Sequence, residues 1–300
     1  MNFLKKCFRK FFFTKGFSLF ENIGLHLLPI HYYTPIPNTK LLKKRDDLWN
    51  KELPLDGIDL NIKEQKDLLT TIYPLFRDEY LSFPREKTND SSQYCLNNGT
   101  FGFVSGQMYY SIIRYLKPKR IIEIGSGNST LVSVNALQKN KKEGFPCKFT
   151  SIEPYPADYL KNKKFDIELI QKKVENIDIN FFENLSENDI LFIDSSHTVK
   201  IGGDVNFLIL EVLPKLKKGV VIHIHDIQFP YDYFKSYLLK NHYFWQEQYL
   251  VQAFLMYNHS FKILWCASYM HHKYPKLLNK YFSTYPKNRV PTSLFIQKIT

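Results

Sequence analysis

Cysteine is scarce in this 300-residue chain. Cys7, Cys95, Cys147 and Cys266 stand far apart, with no Cys-x-x-Cys pair. That spacing excludes a disulfide-stapled scaffold and fits a reducing, cytoplasmic setting. Arginine is also thin: only seven of the 41 basic residues are Arg, the side chain suited to bidentate phosphate and guanine contacts. The net charge of +12 therefore reads chiefly as solvated lysine surface, and nucleic-acid binding is not expected. Long apolar runs are missing too. Within the first twenty residues the longest is Phe11 to Phe13, far short of the ~20 residues of a membrane-spanning helix, and no h-region or small-residue cleavage site marks a signal peptide. Internal repeats and low-complexity tracts are also lacking. A chain of this length can bury ~75% of its unfolded surface, so one sizeable core with an appended segment is expected.

Residues 1–20 mix five cations with large apolar residues, the composition of an amphipathic surface helix. Such a helix either packs its Phe face onto its own protein, the preferred reading, or lies on a membrane as a peripheral contact. From His31 to about Asn61 the chain reads as irregular, punctuated by Pro35, Pro37, Pro54 and Asp56-Gly57. A helix is expected from Lys63 to about Tyr80, bent at Pro74. Another is expected from Gln107 to Leu116, ended by Lys117-Pro118-Lys119. Short apolar strands then alternate with helical segments: Arg120 to Ile124, Lys148 to Glu153, Ile167 to Ile170, Ile190 to Asp194 and Val220 to His225. A helix near Tyr249 to Tyr257 and strands near Phe261 to Cys266 and Ser293 to Ile299 complete the pattern. It predicts an α/β fold whose mostly parallel sheet is covered by helices on both faces. The expected domains are an N-terminal helical and irregular extension, 1–98, and an α/β domain, 99–300.

The segment Ile121-Ile-Glu-Ile-Gly-Ser-Gly-Asn-Ser-Thr130 reads as a buried strand, a glycine turn and a helix starting near Ser129. Gly125 and Gly127 let the backbone turn tightly and approach a ligand. Glu153, at the end of the next strand, is placed to accept hydrogen bonds from ribose hydroxyls. A nicotinamide dinucleotide would use the same features, but the third glycine of its fingerprint is Thr130 here. Glu123 would also repel a pyrophosphate, while suiting a sulfonium cation and its amino-acid ammonium group. S-adenosylmethionine is therefore the preferred ligand, held by Glu123, Gly125, Ser126, Gly127, Ser129, Glu153 and Asp194. Lys173 and Glu175 either border its adenine or lie on a solvated loop.

Glu123-Ile-Gly-Ser-Gly resembles motif I of the class I S-adenosylmethionine-dependent methyltransferases. Glu153 falls where those enzymes carry a ribose-binding acid, and Asp189-Ile-Leu-Phe-Ile-Asp-Ser-Ser-His197 resembles their fourth strand. Ile193-Asp-Ser-Ser-His197 with Gly219-Val-Val-Ile-His-Ile-His-Asp-Ile227 is similar to a bacterial methyltransferase group, type 24-like, often found beside glycan-assembly genes. This resemblance implies a Rossmann-like, doubly wound, seven-stranded sheet. It also implies Asp194 and Asp226 at strand ends facing one crevice. Acids at matching positions hold a metal in the catechol methyltransferase and cephalosporin hydroxylase-like branches, so Asp194, His225 and Asp226 form a candidate Mg²⁺ site, although His225 stands where an acid would be expected. His197 matches a basic catalytic residue of the catechol branch. It is the candidate general base beside Asp194, with a structural histidine as the equal alternative. His223 and His225 are expected to face opposite sides of the sheet, with His225 reaching the crevice. The aromatic segments Phe229–Phe234 and Tyr243–Trp245 are either lid or core, core being preferred. The expected activity is O-methylation of a small-molecule or glycan acceptor, in the cytoplasm or at the membrane surface. An RNA methyltransferase and a non-catalytic nucleotide-binding protein are the alternatives.

Overall fold

The computed structural model describes residues 3–161, 165–282 and 288–300, without the side chains of 3–6 and 9. Met1 and Asn2, at the head of the amphipathic segment, lie outside the described residues. The chain divides into two compact units, residues 1–51 with 233–244, and residues 52–232 with 245–300.

The smaller unit begins with two short helices, Phe3–Phe12 and Lys15–Glu21. The stretch expected to be irregular contains two single-turn helices, Thr39–Leu42 and Asp46–Trp49. The first forms because the Asn38 side chain accepts from the Lys40 and Leu41 N–H groups, a favoured N-cap that satisfies otherwise orphaned donors.

The larger unit is built on seven strands: β1 Arg120–Ile124, β2 Lys148–Ile152, β3 Glu168–Ile170, β4 Ile190–Ile193, β5 Val221–Ile224, β6 Phe261–Cys266 and β7 Leu294–Lys298. Their order is β3-β2-β1-β4-β5-β7-β6. The pairs joining β1 to β5 are all parallel, while β7 runs antiparallel to both β5 and β6. The strands read as continuous apolar runs because helices cover both faces. Residues alternate between two cores. Ile121, Ile190, Phe192 and Val221 join one with the helices Phe103–Leu116 and Asn128–Lys142. Ile122, Ile124, Leu191, Ile193, Ile222 and Ile224 join the other.

The helix expected from Lys63 to Tyr80 is interrupted by a π turn, Leu68–Ile72, in which Tyr73 N–H donates to the Leu68 carbonyl. Pro74 follows. A second π turn, Phe207–Val212, has Leu213 N–H donating to the Leu208 carbonyl and Pro214 next. In both, the proline ring would clash with the carbonyl four residues back, and the wider turn accommodates it. Winding reverses between β1 and β4, where an open α/β sheet leaves a ligand crevice beyond the strand carboxyl ends.

Candidate active site

The glycine turn after β1 is held by contacts specific to its residues. Gly125 has φ 84°, and a Cβ there would collide with the Asp194 carbonyl, so only glycine fits. Gly127 faces open space, and its N–H donates to Thr130 Oγ1 at 2.9 Å. The residue in place of the third fingerprint glycine thus caps the helix Asn128–Lys142. Ser129 Oγ donates to Glu123 Oε1 at 2.6 Å. Glu123 is fully buried, and its Oε2 has no hydrogen-bond partner. Burial pushes its pKa up to about 8 against the opposing bond from Ser129.

A cleft of ≈ 390 Å³ opens beyond β1, β2 and β4, lined by Gly125, Glu153, Tyr155, Lys173, Glu175 and Asp194 among others. That volume lies in the range of small-molecule sites. Lys173 and Glu175 therefore border the cleft. Glu153 Oε1 accepts from the Tyr155 N–H at 2.7 Å, which fixes the carboxylate at the strand end. Ser126, Gly127 and Ser129 belong to the adjoining turn and helix start rather than to the cleft wall.

On the far side of Asp194, three carboxylates surround one imidazole. His197 Nε2 lies 3.2 Å from Asp194 Oδ1 and 3.7 Å from Asp226 Oδ2, and Nδ1 lies 2.7 Å from Glu247 Oε2. Burial disfavours charge on this ring. The bonds to Asp194 and Glu247 outweigh it and raise the pKa well above the usual histidine value, so both ring nitrogens carry protons. Asp194 answers in kind: burial pushes it up, but the charge of His225 and the His197 bond hold it below the usual carboxylate range. The Trp245 ring covers His197 with centroids 4.3 Å apart. His197 and Asp226 both have φ 56°, a left-handed conformation that costs non-glycine residues ~1–3 kcal/mol and concentrates at functional sites.

Glu247 has no place in the sequence-based reading. It is fully buried, it accepts from Ser195 Oγ at 3.1 Å, and its N–H and that of Gln246 donate to the His197 carbonyl. It opens the helix Glu247–Leu255, two residues before the expected start. One signal was available: it is the only Asp or Glu after Asp232.

His223 and His225 share a face, contrary to expectation, because residues two apart on a strand point the same way. Their ring centroids are 5.5 Å apart and both rings contact Phe101. His223 is core, stacked on Phe192 at 4.2 Å, with burial pushing its pKa well below the ordinary value. In the aromatic segments Phe229 is fully buried core, the preferred reading, and Trp245 contacts His197.

The arrangement does not fit a divalent cation. The His197 ring fills the space between Asp194 and Asp226. Asp226 Oδ1 is engaged by Thr292 Oγ1 at 2.8 Å, and His225 Nε2 stands 3.9 Å from that oxygen. Among the described residues no three His, Cys, Asp or Glu side chains converge to hold a metal, and Mg²⁺ demands near-octahedral oxygen ligation.

Sheet order and glycine turn together define a doubly wound α/β protein with an open crevice at its switch point. Residues 122–227 match a family described as a methyltransferase domain. An uncharacterized protein of Archaeoglobus fulgidus is 34% identical over 185 residues, covering 59% of this chain and 81% of that one. Similar solved structures include an SAH-bound methyltransferase of Podospora anserina, PaMTH1, at 15% identity and TM-score 0.41, covering 91% of this chain and 99% of that one. Another is the plantazolicin methyltransferase BpumL with SAH, at 14% identity and TM-score 0.42, covering 80% and 98%. The segment 122–227, which holds the glycine turn, Glu153, Asp194 and Asp226, is thus that of a methyltransferase domain.

Proposed function

We propose that this protein transfers a methyl group from S-adenosylmethionine to a hydroxyl of a small molecule or saccharide. The observation that carries the reading is the pairing of two half-sites across Asp194. Glu153, the acid assigned to the ribose, lines the cleft together with Asp194, and Asp194 in turn contacts the carboxylate-clamped His197. When bound, the cofactor supplies an electrophilic methyl on a sulfonium, displaced in line by the acceptor oxygen as the carbon–sulfur bond breaks.

The protein's work is alignment and charge placement. Glu153 and Asp194 on the wall suit a cation and its ammonium group, while Glu123, kept mostly neutral by burial behind the turn, gains its charge on meeting that ammonium group. His197 is the catalytic group of this reading and Asp194 its partner. The charged ring stabilises negative charge growing on the acceptor oxygen, and, because neither ring nitrogen is free to take it, the hydroxyl proton passes to the Asp194 carboxylate that the ring holds at 3.2 Å. No step is assigned to a metal, because the side chains as arranged do not fit one.

The test is incubation with S-adenosylmethionine and panels of alcohols, phenols and saccharides, read as the mass gain of one methyl on the acceptor. Transfer to oxygen is expected, with loss of 100-fold or more in kcat for Asp194→Ala and His197→Ala at undiminished S-adenosylhomocysteine affinity for the latter. Transfer only to nitrogen, or full turnover by both variants, would contradict the proposal.

A further inference from the structure

Positive charge is not spread evenly. Residues 1–51 with 233–244 hold twelve Lys and Arg against three Asp and Glu, so nine of the chain's twelve net positive charges fall in about a fifth of its length. Exposed apolar side chains gather in the same unit. Among the described residues, twelve of the twenty-three exposed large hydrophobics lie between Phe8 and Leu41, including Phe8 at 66%, Leu19 at 61%, Ile23 at 68% and Ile30 at 63%. Single exposed apolar residues are ordinary, but a concentration of them marks an interaction surface.

The local structure explains why these side chains stay outside. The helices Phe3–Phe12 and Lys15–Glu21 form a hairpin closed at Thr14, whose N–H donates to the Phe11 carbonyl at 3.1 Å and whose Oγ1 donates to the Lys10 carbonyl at 2.8 Å. Phe12 and Phe20 stack inside it with centroids 6.0 Å apart. Phe8, Phe11, Phe13 and Leu19 remain exposed. Beside the hairpin lies an apolar cavity of ≈ 320 Å³ lined by Phe8, Phe12, Leu27, Leu28, Ile30 and Ile36 among others. No helix among the described residues is long and apolar enough to cross a membrane.

We infer that this unit docks the protein on the surface of an anionic phospholipid bilayer. Large aliphatic and aromatic side chains beside lysines match the boundary between headgroup and acyl chain, where apolar burial and attraction to anionic lipid act together. Each basic residue near such a surface adds about fivefold to affinity. Nucleic acid would use the charge but leave Leu19, Ile23 and Ile30 facing water.

The experiment is co-sedimentation of the full chain with phosphatidylcholine vesicles, with and without phosphatidylglycerol, at low and high salt. Binding at least tenfold stronger to the anionic vesicles, weakened by salt, is expected. Phe8→Glu with Leu19→Glu should lose tenfold or more. Lys10→Glu with Lys15→Glu, which touches only surface charge, should do the same. Both variants should keep the wild-type thermal midpoint and S-adenosylhomocysteine affinity, which separates this outcome from failure of the cofactor reading. Equal binding to both vesicle types overturns the inference. So does wild-type binding by the variants, a single-stranded RNA ligand bound in place of lipid, or light scattering that traces the apolar face to self-association.

Discussion

Glu123 places a carboxyl where water cannot reach it, with one oxygen bonded to Ser129 and the other unpartnered. Its folded pKa, raised to about 8, lies above that of an unfolded glutamate, so the stability it contributes is full below the unfolded value and is lost as pH rises through about 8. Glu123→Gln should therefore be more stable than wild type above that pH, by up to about 5 kcal/mol, and should bind S-adenosylmethionine more weakly for want of a carboxylate beside its ammonium group. Urea melts across the pH range with parallel calorimetry check both halves; a variant as pH-sensitive as wild type contradicts the assignment. Glu247 is a positioning residue, acting through His197. Its amide variant, Glu247→Gln, should lower kcat while leaving KM for the cofactor unchanged, and should shift the imidazole resonances of His197 in NMR spectra. Because that imidazole fills the space between Asp194 and Asp226, excess chelator should change turnover by less than twofold. A tenfold fall restored by Mg²⁺ would show that the cluster rearranges around a cation.

The glycine turn shows how one element can carry two demands. Gly125→Ala would force a Cβ into the Asp194 carbonyl at a left-handed φ, separating β1 from the end of β4, and should abolish soluble expression or cofactor binding. Thr130→Val removes only the hydroxyl that caps the helix, so it should cost ~1 kcal/mol of stability by thermal melting, with the fold intact. The strands were legible because a parallel sheet covered on both faces imposes uninterrupted apolar runs, as in Ile190–Ile193. The two π turns were not, because hydrophobic periodicity cannot distinguish a turn widened ahead of Pro74 or Pro214 from an ordinary kink. Glu247 escaped for a different reason. Its meaning comes from contact with a ring fifty residues earlier in the chain, which no local pattern encodes.

At the scale of the whole molecule, the larger unit carries the methyltransferase fold and a crevice bordered by acids, while the smaller unit carries most of the net charge. The glycine turn after β1 and the place of Asp194 at the end of β4 were readable because glycine turns and strand-end acids obey local rules. The total of +12 read as lysine surface until the division into units placed three quarters of it beside exposed Phe, Leu and Ile. The central claim is that the cleft at Glu153 holds the adenosine of S-adenosylmethionine. Isothermal titration of the full chain with S-adenosylhomocysteine, repeated on Glu153→Ala, tests it most directly. Saturable one-to-one binding, weakened tenfold or more in the variant, is the predicted result; no binding by the wild type, or equal affinity in the two proteins, would contradict it.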